Sequence, residues 1–291
     1  MLKFHPPGFG QKFTQTSLGT IAYYTQTQDS NETPIVFLHS FGGGASAFEW
    51  SKVYPVFEST IAADLIGWGD SSHPARDYRP EDYVMTIAEF LPKIADQPVT
   101  LVASSLTGAL AIRLAVQHSE LVRSLFLVCP SGFDDFGQNA GRRIPLDIIN
   151  TPILDRIIYT IGATTDFAVR NFLENFLFAN RDRITPEMVN AYLESARQPN
   201  ADYAALAFLR GDLYFDLSLY LPQLNTPTSI VWGSQAQFTD VELGRRLAAV
   251  NPQAIQKFQI VPESGVLVHL EQPAIVARLL RQWLNQTLDQ S

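Results

Sequence analysis

One serine stands where a chain could make a nucleophile. Ser105 lies in the run Val99-Thr100-Leu101-Val102-Ala103-Ser104-Ser105-Leu106-Thr107-Gly108-Ala109-Leu110. An apolar strand runs into a small-residue turn and then into an Ala-rich helix. Such a turn pushes the hydroxyl out at the carboxyl edge of a sheet and needs small neighbours two residues to either side. Here those neighbours are Ala103 and the β-branched Thr107. The following helix aims its N-terminus, with its partial positive charge, at the same place. A second stretch, His39-Ser40-Phe41-Gly42-Gly43-Gly44, follows another apolar run. Its glycines let backbone N–H groups come close to a ligand oxygen. Serine chemistry also needs a base, and the chain has five histidines from which to draw one. Metal and phosphate chemistry lack a pattern. No His/Cys/Asp cluster has ligand spacing, and Gly42-Gly43-Gly44 lacks the lysine of a phosphate loop. Neither a metal nor a cofactor is expected.

The elements that must hold these residues follow from the hydrophobic pattern. Lys12 to Ser17 and Gly19 to Gln26 alternate polar and apolar residues and predict a β-hairpin. Five short apolar runs suit strands buried on both faces: 34–39, 60–65, 99–103, 124–128 and 228–232. A sixth, 255–261, alternates more clearly. Helical patterns lie between them at 46–54, 80–94, 106–118 and 273–288. Strands alternating with helices predict an α/β fold: a mostly parallel, twisted sheet covered by helices on both faces. Residues 133–224 break that rhythm. They lack a buried-strand signature and carry helical patterns at 167–178 and 186–196, with many aromatics, among them Phe133, Tyr159, Phe172, Phe176, Phe208 and Tyr214. We expect a core of 1–132 and 225–291 and an inserted helical lid of 133–224. Most of those rings must fill the lid's own core, and some would face a greasy cleft.

The motifs occur in a telling order: His-Ser-Phe-Gly-Gly from His39, Asp-Leu-Ile-Gly-Trp-Gly-Asp-Ser from Asp64, the Ser105 turn, Ile230-Val231-Trp232-Gly233, and His269-Leu270-Glu271-Gln272-Pro273. Together they resemble the α/β-hydrolase superfamily, in particular its lid-bearing esterases, carbon–carbon bond hydrolases and haloalkane dehalogenases. The resemblance implies that Ser105 holds the nucleophile position. It implies that the N–H groups of Phe41 and Leu106 form the oxyanion hole. Ser40 stands where that family usually has glycine.

The departures are as informative. In the family an acid follows the late strand in a Trp-Gly-x-x-Asp pattern, and here that slot is Ala236. The histidine belongs in a Gly-His-x-x-His-Leu-Glu-Gln-Pro pattern, and the matched flank puts Val266 in its slot. The triad reads as degenerate. Substitutes are His269, the second histidine of that motif, for the base, and Asp134 or its neighbour Asp135 for the acid, with Asp240 a further acid. An acid only orients a histidine. Removing the histidine from a serine triad costs roughly 10⁶ in turnover, so ordinary Ser-His-Asp catalysis is not expected.

Three functions compete. The first is a repurposed protein that binds a small lipophilic or aromatic carbonyl-containing molecule without turnover. The second is a weak or unconventional hydrolase of an ester or carbon–carbon bond with an improvised base. The third is a non-hydrolytic enzyme that uses the oxyanion hole. Composition trims the alternatives. With 46% hydrophobic and 17% charged residues the chain is globular and not disordered. A net charge of −8 without a basic stripe argues against nucleic acid. No apolar run reaches membrane-spanning length, and the N-terminus lacks a signal-peptide core, so a cytoplasmic location is expected. The single cysteine, Cys129, reads as a small buried hydrophobe.

Overall fold

The computed structural model describes residues 5–26, 33–138, 159 and 163–288. The stretches 139–158 and 160–162 of the expected lid lie outside them.

Eight strands form one sheet in the order β1-β2-β4-β3-β5-β6-β7-β8. β1 (Phe9–Thr16) and β2 (Gly19–Gln26) make the expected hairpin. β2 also pairs antiparallel with β4 (Thr60–Ala63). Every other neighbour is parallel: β3 (Ile35–Leu38) with β4 and β5 (Val99–Ser104), then β6 (Val122–Val128), β7 (Thr228–Gly233) and β8 (Ile255–Val261). β3, β5, β6 and β7 are buried to the last residue apart from one half-buried position in β6, as continuous apolar runs demand of strands covered on both faces. The chain leaves β3 for β4 on one side and returns to β5 on the other. The order therefore reverses between β3 and β5, and open α/β sheets bind ligands at the carboxyl ends of such strands.

Helices α1 (Pro80–Phe90), α2 (Ser105–Gln117), α3 (Asp166–Phe172), α4 (Pro186–Ala196), α5 (Ala201–Arg210), α6 (Val241–Val250), α7 (Val268–Glu271) and α8 (Pro273–Leu288) complete the described elements. α2 packs on β5 and β6. The expected helix over 46–54 is instead two 3₁₀ turns, Ala47–Trp50 and Tyr54–Val56. Pro55 sits inside the second and has no N–H to continue a helical ladder. The lid pattern at 167–178 becomes α3 followed by a π-turn, Leu173–Leu177. The sequence reading had no helix for α5 or α6. Both carry local signals: Gly211 closes α5 with φ +83°, and the Asp240 side chain caps α6 by accepting from Leu243 N at 2.8 Å.

Candidate functional site

The parallel strands bring five loops to one edge of the sheet. The loop after β3 carries Ser40 and Phe41, the turn after β5 carries Ser105, and the loop after β6 carries Cys129 to Phe133. The loops after β7 and β8 carry Ala236 and Val266.

Ser105 opens α2 with φ +54°, a left-handed backbone for a residue that has a Cβ. Such a conformation costs about 1–2 kcal/mol and persists only where the surroundings enforce it. The surroundings are tight. Gly108, one turn along, has Pro130 against the place a Cβ would take, at 3.1 Å. Ser131 N donates to Ser105 O at 3.4 Å. Thr107 is accommodated fully buried, without a hydrogen bond to its Oγ1, and Ser104 Oγ is sealed and unpaired in the same way. Ser105 itself is 5% exposed, and among the described residues no group hydrogen-bonds its Oγ. Leu106 N–H lies in the first turn of α2, where a helix offers its own donors no acceptor. Phe41 N–H likewise has no acceptor among the described residues.

The Ala236 and Val266 loops touch. A Cβ on Gly233 would meet Gly265 O at 1.9 Å, so only glycine lets the two backbones approach this closely. Gln235 N donates to Ser264 O at 2.9 Å. Val266 is buried, and its N–H donates to Leu177 O of the π-turn 173–177 at 3.0 Å. The Glu271 carboxylate collects Gly265 N at 2.6 Å and Ala179 N and Asn180 N at 3.1 Å. The segment 177–180 thus lies directly on the Val266 loop.

The substitute residues are placed as follows. His269 is fully buried, stacked on Trp50 with ring centroids 3.9 Å apart, and among the described residues neither ring nitrogen makes a hydrogen bond. Burial holds its imidazole below the ordinary range, in the neutral form, although Glu49 pulls the other way. Its Nε2 faces Glu49 Oε2 at 3.6 Å, and no hydrogen bond joins it to Ser105. Asp134 is the half-buried residue leading into a short 3₁₀ turn, Asp135–Gly137. Asp135 is buried and committed: it accepts from Ser131 Oγ, Gly132 N and Leu217 N. Asp240 is committed to capping α6. His39 accepts from Leu65 N at 2.9 Å and bridges to Ser40 O at 2.6 Å, which ties the loop after β3 to the loop after β4. Burial pushes the Cys129 thiol up to about 12, as befits an inert buried hydrophobe.

A chain of aromatic rings spans the space between these loops and the segment 172–214. Phe41 meets Phe208 of α5, with centroids 6.4 Å apart. Phe208 meets Phe133 at 5.7 Å, and Phe133 stacks on Tyr214 at 5.0 Å. Phe238, two residues past Ala236, meets Phe133 at 6.3 Å and stacks on Phe176 at 5.8 Å. Phe172 reaches back to the loop after β3, 3.5 Å from where a Cβ on Gly42 would sit. Rings from five separate segments therefore converge above the carboxyl edge. From the sequence most of them, Tyr192 included, read only as aromatics of the 133–224 segment, and Phe238 and Glu49 were missed. Phe238 was within reach, two residues beyond a slot already singled out.

Comparison with known proteins agrees with the fold. The profile described as "Alpha/beta hydrolase family" matches residues 35–279. The uncharacterized hydrolase YugF of Bacillus subtilis (strain 168) is 25% identical over 274 residues, covering 92% of this chain and 95% of that one. The 2-hydroxy-6-oxo-6-(2'-aminophenyl)hexa-2,4-dienoic acid hydrolase of Metapseudomonas resinovorans is 23% identical over 267 residues, covering 88% and 85%. Among solved structures, a serine hydrolase involved in carbazole degradation superposes with a TM-score of 0.76 at 20% identity, covering 96% of this chain and 99% of that one. The carboxylesterase CesB of Bacillus subtilis gives 0.76 at 17% identity, covering 97% and 94%. At such identities the structural likeness speaks for the fold alone.

Proposed function

The chain belongs to the alpha/beta hydrolase family, and from that premise we propose that it is a repurposed member, binding a small lipophilic or aromatic carbonyl compound without ordinary triad turnover. The observation that carries this reading is the isolation of Ser105. Among the described residues its Oγ has no hydrogen-bond partner, and the two slots from which a triad would serve it hold buried Ala236 and Val266. A serine without a base stays protonated at neutral pH and is a weak nucleophile. The binding features fare differently. Two N–H groups that are unpaired among the described residues, on Phe41 and Leu106, offer a carbonyl oxygen its donors. The rings of Phe133, Phe208 and Phe238 offer an apolar body its contacts. The cap of residues 133–224 over a core of 1–132 and 225–291 belongs to the same proposal. Among the described residues no helix is long and apolar enough to cross a membrane, and a cytoplasmic protein is proposed.

The test is a titration with aryl alkyl ketones and short aryl esters, followed by tryptophan fluorescence, with the ester recovered and quantified. The expected result is saturable one-to-one binding, weakened about tenfold or more by Phe133→Ala or Phe238→Ala, with the ester intact. Absence of binding across the panel refutes the pocket. Ester cleavage that disappears in Ser105→Ala supports a second reading, a weak serine hydrolase. That reading is favoured by one feature: Ser105 keeps its left-handed backbone, strain that mere binding does not need.

A further inference from the structure

Glu49 is a fully buried carboxylate in the first 3₁₀ turn after the loop that carries Phe41. Burial by itself raises such a group, yet the net shift is downward, because His269, His39 and the Ser40 N–H all favour the anion. The anion is well supplied with donors. Ser40 N donates to Oε2 at 2.7 Å and Ser40 Oγ to Oε1 at 2.8 Å. The third donor comes from the lid: Tyr192 OH of α4 reaches Oε1 at 2.8 Å. The glycine usual at position 40 would leave the carboxylate with one bond fewer.

The same face of α4 grips the loop again. Ser195, three residues past Tyr192 and so a neighbour on the helix surface, donates its Oγ to Ala45 O at 3.0 Å and accepts from Gly69 N at 3.1 Å. Between the two grips Gly44 has φ +91°, and a Cβ there would meet Tyr192 O at 2.2 Å. The lid backbone therefore rests on the loop backbone itself.

We propose that Glu49 is a positioning residue that makes the order of the loop 39–45 conditional on the docking of α4. The idea rests on the reading above only in taking Phe41 N–H as a donor to ligand. When α4 lifts, Tyr192 leaves with it, and a buried anion is left one donor short, a costly state. The carboxylate then turns or admits water, and Ser40, held to it at two points, moves with it. Phe41 N–H is the next group along the chain. Lid closure in this way aligns the donor at the moment the site is covered, and lid opening relaxes it.

Hydrogen exchange with mass spectrometry on the full chain tests this without any ligand, so its outcome is separate from that of the binding reading. Tyr192→Phe keeps the ring and removes only the donor. Losing a hydrogen bond to a charged group should speed exchange across 39–45 by about tenfold or more. The control is Thr185→Ala, which removes the cap on Met188 N at the far end of α4. It should speed exchange at the start of α4 and leave 39–45 unchanged. In a Glu49→Gln background Tyr192→Phe should have a clearly smaller effect, because the amide oxygen that still accepts from Tyr192 carries no charge. The proposal is overturned if Tyr192→Phe loosens α4 alone, if Thr185→Ala loosens 39–45 equally, or if the tyrosine's effect is undiminished in Glu49→Gln. Should Glu49→Gln fail to fold, the comparison of Tyr192→Phe with Thr185→Ala decides by itself.

Discussion

Replacing Ser105 by glycine should make the protein more stable. The residue holds φ +54° and its hydroxyl makes no hydrogen bond among the described residues. A left-handed backbone costs a residue with a Cβ roughly 1–2 kcal/mol, and glycine escapes that cost. Glycine also loses more freedom on folding, which takes back roughly 0.5–1 kcal/mol. The balance is a gain of about 0.5–1 kcal/mol. For a chain of 291 residues the unfolding entropy is about 0.6 kcal/mol/K, so the melting temperature should rise by about 1–2 °C. Ser105→Ala is the control. It keeps the Cβ and the strain and loses only an unbonded hydroxyl, so it should stay close to the parent. Urea titration at unchanged m-value, with thermal melts beside it, measures both variants. The reasoning fails if the glycine variant is less stable than the parent, or if alanine stabilises as much as glycine. Either result means that the turn is unstrained or that the hydroxyl is held by a partner.

Acid should weaken the fold starting near pH 6.5. Burial holds His39 and His269 below the ordinary imidazole range, so the unfolded chain takes up protons that the folded chain refuses. Their contribution is complete above about pH 6.5 and is lost as pH falls, by up to about 1.4 kcal/mol per pH unit for each proton. Asp64 works in the opposite sense: burial pushes its carboxyl up to about 7, so its contribution is present in acid and lost as pH rises toward neutrality. In Asp64→Asn the loss of stability on acidification should therefore be steeper than in the parent; in urea titrations between pH 4 and 7 an equal slope in the two proteins would contradict the Asp64 assignment, and a parent whose stability does not fall with acid would contradict that of the histidines. Catalytic repair is the next expectation. Ala236→Asp combined with Val266→His should create cleavage of short aryl esters that neither change gives alone. Continued inactivity of a folded double variant, read by p-nitrophenyl ester hydrolysis, would place the obstruction at Thr107 or at the lid segment 177–180.

Much of this architecture was legible because buried strands write continuous apolar runs. Five of the six core strands anticipated from such runs end within two residues of their observed bounds, and the sixth, β8, matches throughout. The Ser105 turn was legible for a related reason: strand, small residues and Ala-rich helix follow one another without interruption. What escaped was held by contacts between distant segments. Glu49 sits in Ala47-Phe48-Glu49-Trp50, which reads as one polar residue on an ordinary amphipathic face. Its partner Tyr192 lies 143 positions away. Its near neighbour His269 was weighed as a base for Ser105, whereas the structure stacks it on Trp50 beside Glu49. Local pattern reports which face of an element is greasy, but not which lone polar group on that face meets another. The helix expected at 46–54 failed for a local reason, since Pro55 cannot donate.

The most direct test of the central claim, that Ser105 occupies a built turn yet has no base to activate it, is covalent labelling. The protein is treated with a serine-directed fluorophosphonate at neutral pH and any adduct is located by mass spectrometry. We predict that Ser105 stays essentially unlabelled under conditions that fully modify a competent serine hydrolase, and that the Ala236→Asp, Val266→His variant gains labelling at that residue. Rapid labelling of Ser105 in the parent protein, lost in Ser105→Ala, would contradict the account.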